Sequence, residues 1–419
     1  MTKTKYGALV ESARLKRQSK LLKSLERGTF DDLQTVPSNF ALWAQELDAV
    51  NKYITIPQDQ IDEAAKAYEL IALQLVKELK WEEDDIKIIP QGSSSTQTLV
   101  KSPDASKFDI DAVCQVNISR IDARNPMQFF EKIGEALETF KPDRKKRCWR
   151  IEFSNCRFYI EFTPSIPLST VPSNIMDSVR YKSAISYQDT ALAVVDTPTE
   201  QWKTSNPEGI ANWVKTQAEK NIMLNMALRK AALSMDSSIE PVPEQEVPLS
   251  DTLRVAIRLF KRHRDMAVRR GYLECDYKPI SIIIVTLLTQ CYEGLSDNQV
   301  KYDHPIKLLV DLAELLPGMI EEREGEYWVA NPTVEGENFA ERWNQDEGER
   351  KQAFDNWCAL LIIDLQSILS KHDELEIRDR VREVFGCTGV KPLDSKPSVG
   401  LAPRAPTRFN PPPPTRGLA

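Results

Sequence analysis

The sequence predicts an α+β fold, a small group of strands set among many helices, and two patterns carry that prediction. Between residues 86 and 164 apolar residues alternate with polar ones or run in short blocks, as in IKIIP, FDIDAVCQV and CRFYIEFTP. On either side, apolar residues recur three and four apart, as in 6–26, 57–79 and 346–369. A chain of 419 residues is long enough for two domains around one cleft, or for one large bilobal unit.

Composition narrows the class. Hydrophobic residues at 41% and charged residues at 28% describe an ordinary globular protein, and 55 basic against 62 acidic residues (net charge −7) argue against a general nucleic-acid coat. Seven cysteines without a C-x-x-C pair read as reduced thiols with no zinc site. The first residues, MTKTKYGALVESARLKRQ, lack the apolar core of a signal peptide. The most apolar run, Ile280 to Leu288, is far shorter than the roughly 20 residues that span a bilayer. The expectation is a cytoplasmic protein with no membrane partner.

In chain order, Tyr6 to Glu26 places Leu9, Ala13, Leu15, Leu22 and Leu25 on helical spacing and stops at Gly28. Pro57 opens a longer helix to Leu79 through Ile61, Ala64, Tyr68, Ile71 and Leu75, and both helices are expected to back the strands. Ile86 to Pro90 and Phe108 to Val116 are strands. Pro126 to Phe140 is a helix leading to a hairpin of Trp149–Phe153 and Arg157–Phe162 around Ser154-Asn155. Ser173 to Asn206 shows no regular period, and KTSNPEG then starts a helix over Glu208 to Met235. Trp202 and Trp213 read first as packing residues; the other reading makes them, with Asn206, the wall of a cleft.

The Pro- and Glu-rich stretch 237–248 is a natural lobe boundary. Beyond it come a helix around Leu253, Ile257 and Phe260, and a strongly apolar one opened by Pro279. Pro305 to Leu316, a loop-to-helix segment Val334 to Asn344, Asp346 to Leu369 and Glu374 to Val384, ended by Gly386, complete the set. Residues 391–419 contain eight prolines and five basic residues against one acid, cannot bury a core, and read as a disordered or polyproline-like tether. The expected division is therefore 1–240 for the strands and the helices before them, 241–390 for a helical lobe, and 391–419 for the tail.

One arrangement is not explained by composition. In FDIDAV a strand's period of two puts Asp109 and Asp111 on one face, where two like charges are costly unless a cation lies between them. Glu161, in the strand Cys156 to Phe162, is the expected third acid, and Glu152, in an identical I-E-F triplet, is the alternative that local sequence cannot remove. If the two strands are neighbours, three carboxylates converge. Hard carboxylate oxygens suit magnesium, with manganese as a substitute, and such a site can hold two ions, one activating a hydroxyl and one neutralising a leaving pyrophosphate. Gly92 and Ser93, in QGSSSTQT, supply a small-residue turn at the start of a short helix, where backbone N–H groups can approach phosphate. No GxxxxGK[ST] loop is present. His263, His304 and His372 show no metal or triad spacing and read as structural or exposed. The run KPDRKKRCWR, 141–150, reads first as a solvated loop and second as a grip on triphosphates or RNA.

Gly92-Ser93, then Asp109 and Asp111 on a strand, then a single acid just before Pro164, resembles the nucleotidyltransferase superfamily of polymerase-beta type. Within it, the chain resembles the cGAS/DncV-like nucleotidyltransferases (CD-NTases) of bacterial CBASS anti-phage systems. WKTSNPEGIANW (202–213) and LRVAIRLFKRHRD followed by KPISIIIVTLL (253–288) are similar to that family's segments in the same order, so the likeness covers about the first 390 residues. Thr163-Pro164 fits the family pattern for Glu161 and not for Glu152, although the family's usual third acid is Asp.

The resemblance implies a polymerase-beta-like core, a mixed sheet with helices, and an α-helical C-terminal lobe across a central cleft. It implies that Lys261 and Ser281 bind a triphosphate together with Gly92 and Ser93, and that Asp109, Asp111 and Glu161 hold two magnesium ions. The implied activity is template-independent condensation of ATP and other nucleoside triphosphates into a cyclic di- or trinucleotide read by an effector. It also implies that a ubiquitin-transfer-like partner joins Ala419 to other molecules. Extension of an RNA 3′ end and a non-catalytic scaffold are the alternatives. Acidic net charge counts against the first, and the intact acid triplet against the second.

Overall fold

The structure, a computed structural model, describes residues 4–25, 40–104, 106–220, 222–224 and 241–387, with the backbone alone for 20–25. Helices α1 (Lys5–Leu25), α2 (Phe40–Tyr53) and α3 (Gln58–Leu79) precede strand β1 (Ile86–Gln91), which runs directly into the one-turn helix α4 (Gly92–Ser95). Strand β2 (Phe108–Val116), helix α5 (Pro126–Ala136) and strands β3 (Asp143–Arg144), β4 (Trp149–Glu152) and β5 (Phe158–Pro167) follow. Then come α6 (Ser173–Met176), β6 (Lys182–Ser183), β7 (Leu192–Asp196), β8 (Gln201–Ser205) and α7 (Pro207–Ala218). The remainder is mostly helical: α8 (Thr252–Arg269), α9 (Ser281–Asp297), α10 (Pro305–Leu315), α11 (Glu349–Leu369) and α12 (Glu374–Phe385). Short strands β9 (Glu321–Arg323), β10 (Glu326–Trp328) and β11 (Val334–Glu335) lie between α10 and α11.

Seven strands form one mixed sheet in the order β1-β2-β5-β4-β3, with β7 paired to the end of β5 and β8 to β7. Only β2 and β5 run parallel within it; the other pairs are antiparallel. A parallel pair needs a crossover, here the α5-to-β4 segment. The pleat sorts side chains by face. Ile88, Ile110, Ala112, Ile151, Ile160 and Phe162 turn to one side and pack under Ile61, Ala64, Tyr68, Ile71 and Leu75 of α3 and Phe129, Phe130 and Ile133 of α5. The opposite face is left for the carboxylates.

A second core joins the helices. Val10 and Ala13 of α1 and Trp43, Leu47 and Val50 of α2 pack with α8 through α12. Helix α1 therefore does not back the sheet as expected; only α3 does. The close approach of α1 to α9 depends on Gly294, where a Cβ would stand 2.3 Å from the Tyr6 carbonyl oxygen. Arg14 and Arg17 of α1 reach Asp311 of α10 at 3.0 and 2.6 Å.

Other expectations need correction. The stretch 173–206 is not irregular throughout, because β7 and β8 lie in it; LAVVD is buried at every position and so shows no alternation. Helix α7 ends at Ala218 rather than running to Met235, and residues 225–240 lie outside the described residues. Its start is set by Asn206, whose side chain accepts from the Gly209 N–H at 2.7 Å and donates to the Tyr187 carbonyl at 2.8 Å. Asn206 is thus a helix cap. Trp202 donates to the Ala123 carbonyl and packs in the sheet core, while Trp213 donates to Glu293 of α9 and packs with the helices. The tail from 391, including Ala419, also lies outside the described residues. Among the described residues no helix is long and apolar enough to cross a membrane.

Helix α8 is held by a buried ionic network. His263 accepts from Trp357 at Nδ1 (3.1 Å) and so carries its proton on Nε2, 2.9 Å from Asp364. Arg270 (2.6 Å) and Arg380 (2.7 Å) donate to the same carboxylate, tying α8, α11 and α12 together. Burial alone would raise the Asp364 carboxyl, but the hydrogen bonds from His263 and Arg270 outweigh it and bring the pKa to about 2. Asp364→Asn leaves two arginines facing a neutral amide in the interior. The expected loss in urea unfolding at neutral pH is about 3 kcal/mol, and a loss well under about 1 kcal/mol would show the network to be dispensable.

Candidate active site

The site begins at the junction of β1 and α4. Gly92 has φ +64°, in the left-handed region that favours glycine. A second constraint is stronger: Gln91 is the register partner of Asp111, and a Cβ on Gly92 would lie 2.2 Å from Asp111 Oδ2. The missing side chain is what lets the turn and the carboxylate meet. Ser94 Oγ donates to the Gln91 carbonyl (2.7 Å) and Thr96 Oγ1 to the Gly92 carbonyl (3.0 Å), closing the turn.

Helix α8 then fastens the segment that follows. Arg254 donates to the Thr96 carbonyl (2.9 Å), Lys261 to the Thr98 carbonyl and to Ser93 Oγ (2.8 Å each), and Arg262 to the Lys101 carbonyl (2.9 Å). Three carbonyls of the segment, those of Thr96, Thr98 and Lys101, are thus held by cations of α8. Gly92 and Ser93 face a cleft of about 450 Å³ together with Asp109, Asp111, Lys261 and Ser281. Sequence reasoning missed Arg264 and Lys278, which line the same cleft. Arg264 donates to the Pro279 carbonyl (2.9 Å) and Ser281 Oγ (3.2 Å) and so holds the start of α9. Both follow or precede predicted residues within three positions, in KRHR and KPIS, which was the available signal.

Asp109 is exposed and Asp111 half-buried on the polar face of β2. Burial, then repulsion from Asp109 and Glu161, pushes the Asp111 carboxyl well above the usual carboxylate range, with Lys261 pulling weakly the other way. A divalent cation relieves that repulsion, and the donor set of hard oxygens beside a side-chain-free turn fits one. Glu161 is in register with Asp111 across β2 and β5, whereas Glu152 stands opposite Tyr159 and pairs with Lys107 at 3.1 Å. The Glu161 carboxylate is nevertheless turned to the other neighbour, accepting from Arg150 at 2.7 Å. Among the described residues no group of three Asp, Glu, His or Cys side chains stands close enough to hold a metal ion. Asp109 and Asp111 thus line the cleft, whereas Glu161, their neighbour in register, is turned to Arg150.

The basic run 141–150 is largely engaged. Arg144 faces Glu131, Lys145 faces Asp143, Arg147 faces Asp196 and Arg150 faces Glu161. His263 is in the Asp364 network, and His304 caps α10 by accepting from the Ile306 N–H at 3.2 Å. All seven cysteines are free thiols.

Residues 86–163 match the family model of the cyclic GMP-AMP synthase DncV-like nucleotidyltransferase domain. The segment that carries Gly92, Ser93, Asp109, Asp111 and Glu161 is thus similar to a cGAS/DncV-like nucleotidyltransferase domain. A c-di-GMP synthase of Roseivirga ehrenbergii is 25% identical to it over 334 residues, 76% of this chain and 78% of that protein. The CD-NTase CdnG of Bradyrhizobium diazoefficiens, solved in complex with GTP, superposes with a TM-score of 0.53 at 17% identity, covering 85% of this chain and 96% of its own. CdnC of E. coli MS115-1, solved with ATP, gives 0.51 at 13% identity over 82% and 98%. At such identities these two neighbours speak to the mixed α+β fold of this chain and to nothing finer.

Two outcomes follow from the geometry. Gly92→Ala forces the turn off Asp111; kcat/KM for nucleotide is expected to fall about a hundredfold, the scale of a 1 Å misplacement, while the protein still unfolds cooperatively. Full activity would mean that the contact is incidental. Burial, and the neighbouring Arg264 charge, bring Lys261 down to a pKa of about 8. Lys261 is charged below that value and neutral above it, so affinity for a non-hydrolysable triphosphate should weaken as pH rises through about 8. Lys261→Arg, which stays charged, should flatten the titration.

Proposed function

We propose that this chain condenses ribonucleoside triphosphates, without a template, into a cyclic di- or trinucleotide, releasing pyrophosphate at each bond, and that the product is a second messenger of anti-phage defence. The observation that carries the reading is the meeting of Asp111 and Gly92 in the lining of a cleft that Lys261, Arg264, Lys278 and Ser281 also line. Carboxylates and cations lining one space suit a polyanion that brings divalent ions with it. The curated c-di-GMP synthase among its relatives is consistent with a cyclic product.

Magnesium ions held by Asp109, Asp111 and Glu161 would lower the pKa of an acceptor ribose hydroxyl and offset charge on the leaving pyrophosphate. The chain's own residues position the donor. Gly92 and Ser93 admit its phosphates, Lys261 supplies a compact positive charge already fixed by Ser93 and Thr98, and Ser281 offers a hydroxyl at the start of α9. Arg264 keeps that hydroxyl in place. On this reading residues 1–240 carry the catalytic strands and 241–390 close the cleft over ATP or another nucleoside triphosphate.

RNA-end extension is disfavoured by the basic run 141–150, whose arginines are occupied by carboxylates. A scaffold has no use for an aspartate crowded against a glycine with a second one two residues away on the same strand face. Purified protein with magnesium and labelled ATP and GTP should yield a small phosphatase-resistant product. That product should vanish in Asp109→Asn with Asp111→Asn and survive in part in Glu161→Asp. Labelling that depends on an added RNA, or none at all, would refute the proposal.

A further inference from the structure

Glu161 lies in the middle of a three-residue row across the sheet: Asp111 on β2, Glu161 on β5 and Arg150 on β4 are register partners in turn. Adjacent strands are evenly spaced, so the backbone offers the Glu161 side chain two neighbours at similar range. Its carboxylate is on the Arg150 side. Arg150 donates to Oε1 through Nη2 (2.7 Å) and Nε (3.3 Å), and the Cys148 thiol donates to Oε2 at 3.8 Å. Both oxygens are thereby engaged from the β4 side of the row.

The arginine is the better anchored partner. Its guanidinium lies over the Tyr159 ring, 4.3 Å from the centroid. Glu161, with one methylene more than aspartate, has the reach and rotamer freedom to move. The pair is partly open to solvent, with side-chain exposures of 31% for Arg150 and 25% for Glu161, so parting it costs little. Without a cation, a third carboxylate beside Asp109 and Asp111 is repelled, and an arginine on the far side is where it settles.

We propose that Arg150 is a latch on the third carboxylate: it holds Glu161 away from Asp111 in the cation-free protein and releases it when a divalent cation binds. The inference rests on the reading of Asp109 and Asp111 as a metal site. Arg150 is then a positioning residue that sets how tightly, and how late, the cation is taken up.

The test is Mn2+ binding to nucleotide-free protein, read from the resonance of the free ion, with circular dichroism to confirm folding. Arg150→Gln should tighten Mn2+ binding by roughly two- to fivefold, the scale of a partly exposed ion pair. Arg150→Lys, which keeps the charge but loses the fork, should tighten it by less. Neither substitution should change binding in a Glu161→Gln background. Weaker or unchanged binding in Arg150→Gln would overturn the latch, as would tightening that is absent from Arg150→Lys or persists with Glu161→Gln. If no variant, nor the wild type, binds Mn2+ at the aspartates, the metal site itself is overturned; if Mn2+ binds but ignores Arg150, only the latch is.

Discussion

The contact between Gly92 and Asp111 is the constraint on which the rest of the site depends. Antiparallel pairing of β1 with β2 puts Gln91 opposite Asp111, so the chain must turn out of the sheet at the next residue with a carboxylate against its backbone. Only a residue without a Cβ leaves room. The parallel pairing of β2 with β5 then sets Glu161 beside the same aspartate. Two register choices thus determine which acids and which turn share the cleft, and a slip of one residue in either would send the carboxylates into the apolar core.

Helix α8 supplies the opposite charge by an unusual route. Lys261 and Arg262 are buried and bonded to backbone carbonyls and a serine hydroxyl rather than to carboxylates. Carbonyl dipoles satisfy the donors while leaving the net charge in place, so the helix keeps a positive field beside the cleft. The cost is borne by structure elsewhere: Arg262 grips the carbonyls of Phe385 and Gly386 at the end of α12, and Asp364 fixes the helix from its far side. Cations beside the cleft and the packing that holds the helices together are therefore properties of one helix, most of which is buried.

Much of this was legible in the sequence because it depends on local period and turn chemistry. The alternation of FDIDAV placed both aspartates on one face, and Gly92-Ser93 read as a small-residue turn at the start of a short helix. Long helices, such as α3 and α11, fell within a few residues of their expected bounds. What could not be read depends on long-range packing. LAVVD is buried on both faces and carries no alternation, α1 joins α9 through a glycine nearly three hundred residues away, and α2 was overlooked although Trp43, Leu47 and Val50 do sit on helical spacing. The direction of the Glu161 side chain, which accepts from Arg150, was also invisible, because the pairing of β4 with β5 that brings the two together in register is not marked for this contact in either segment.

The most direct measurement is anomalous diffraction from crystals soaked with Mn2+ and a non-hydrolysable triphosphate. The account predicts a manganese peak bridging Asp109 and Asp111, with phosphate density between that ion and Ser93 and Lys261. Manganese or phosphate bound elsewhere, with the two aspartates left bare, would contradict it.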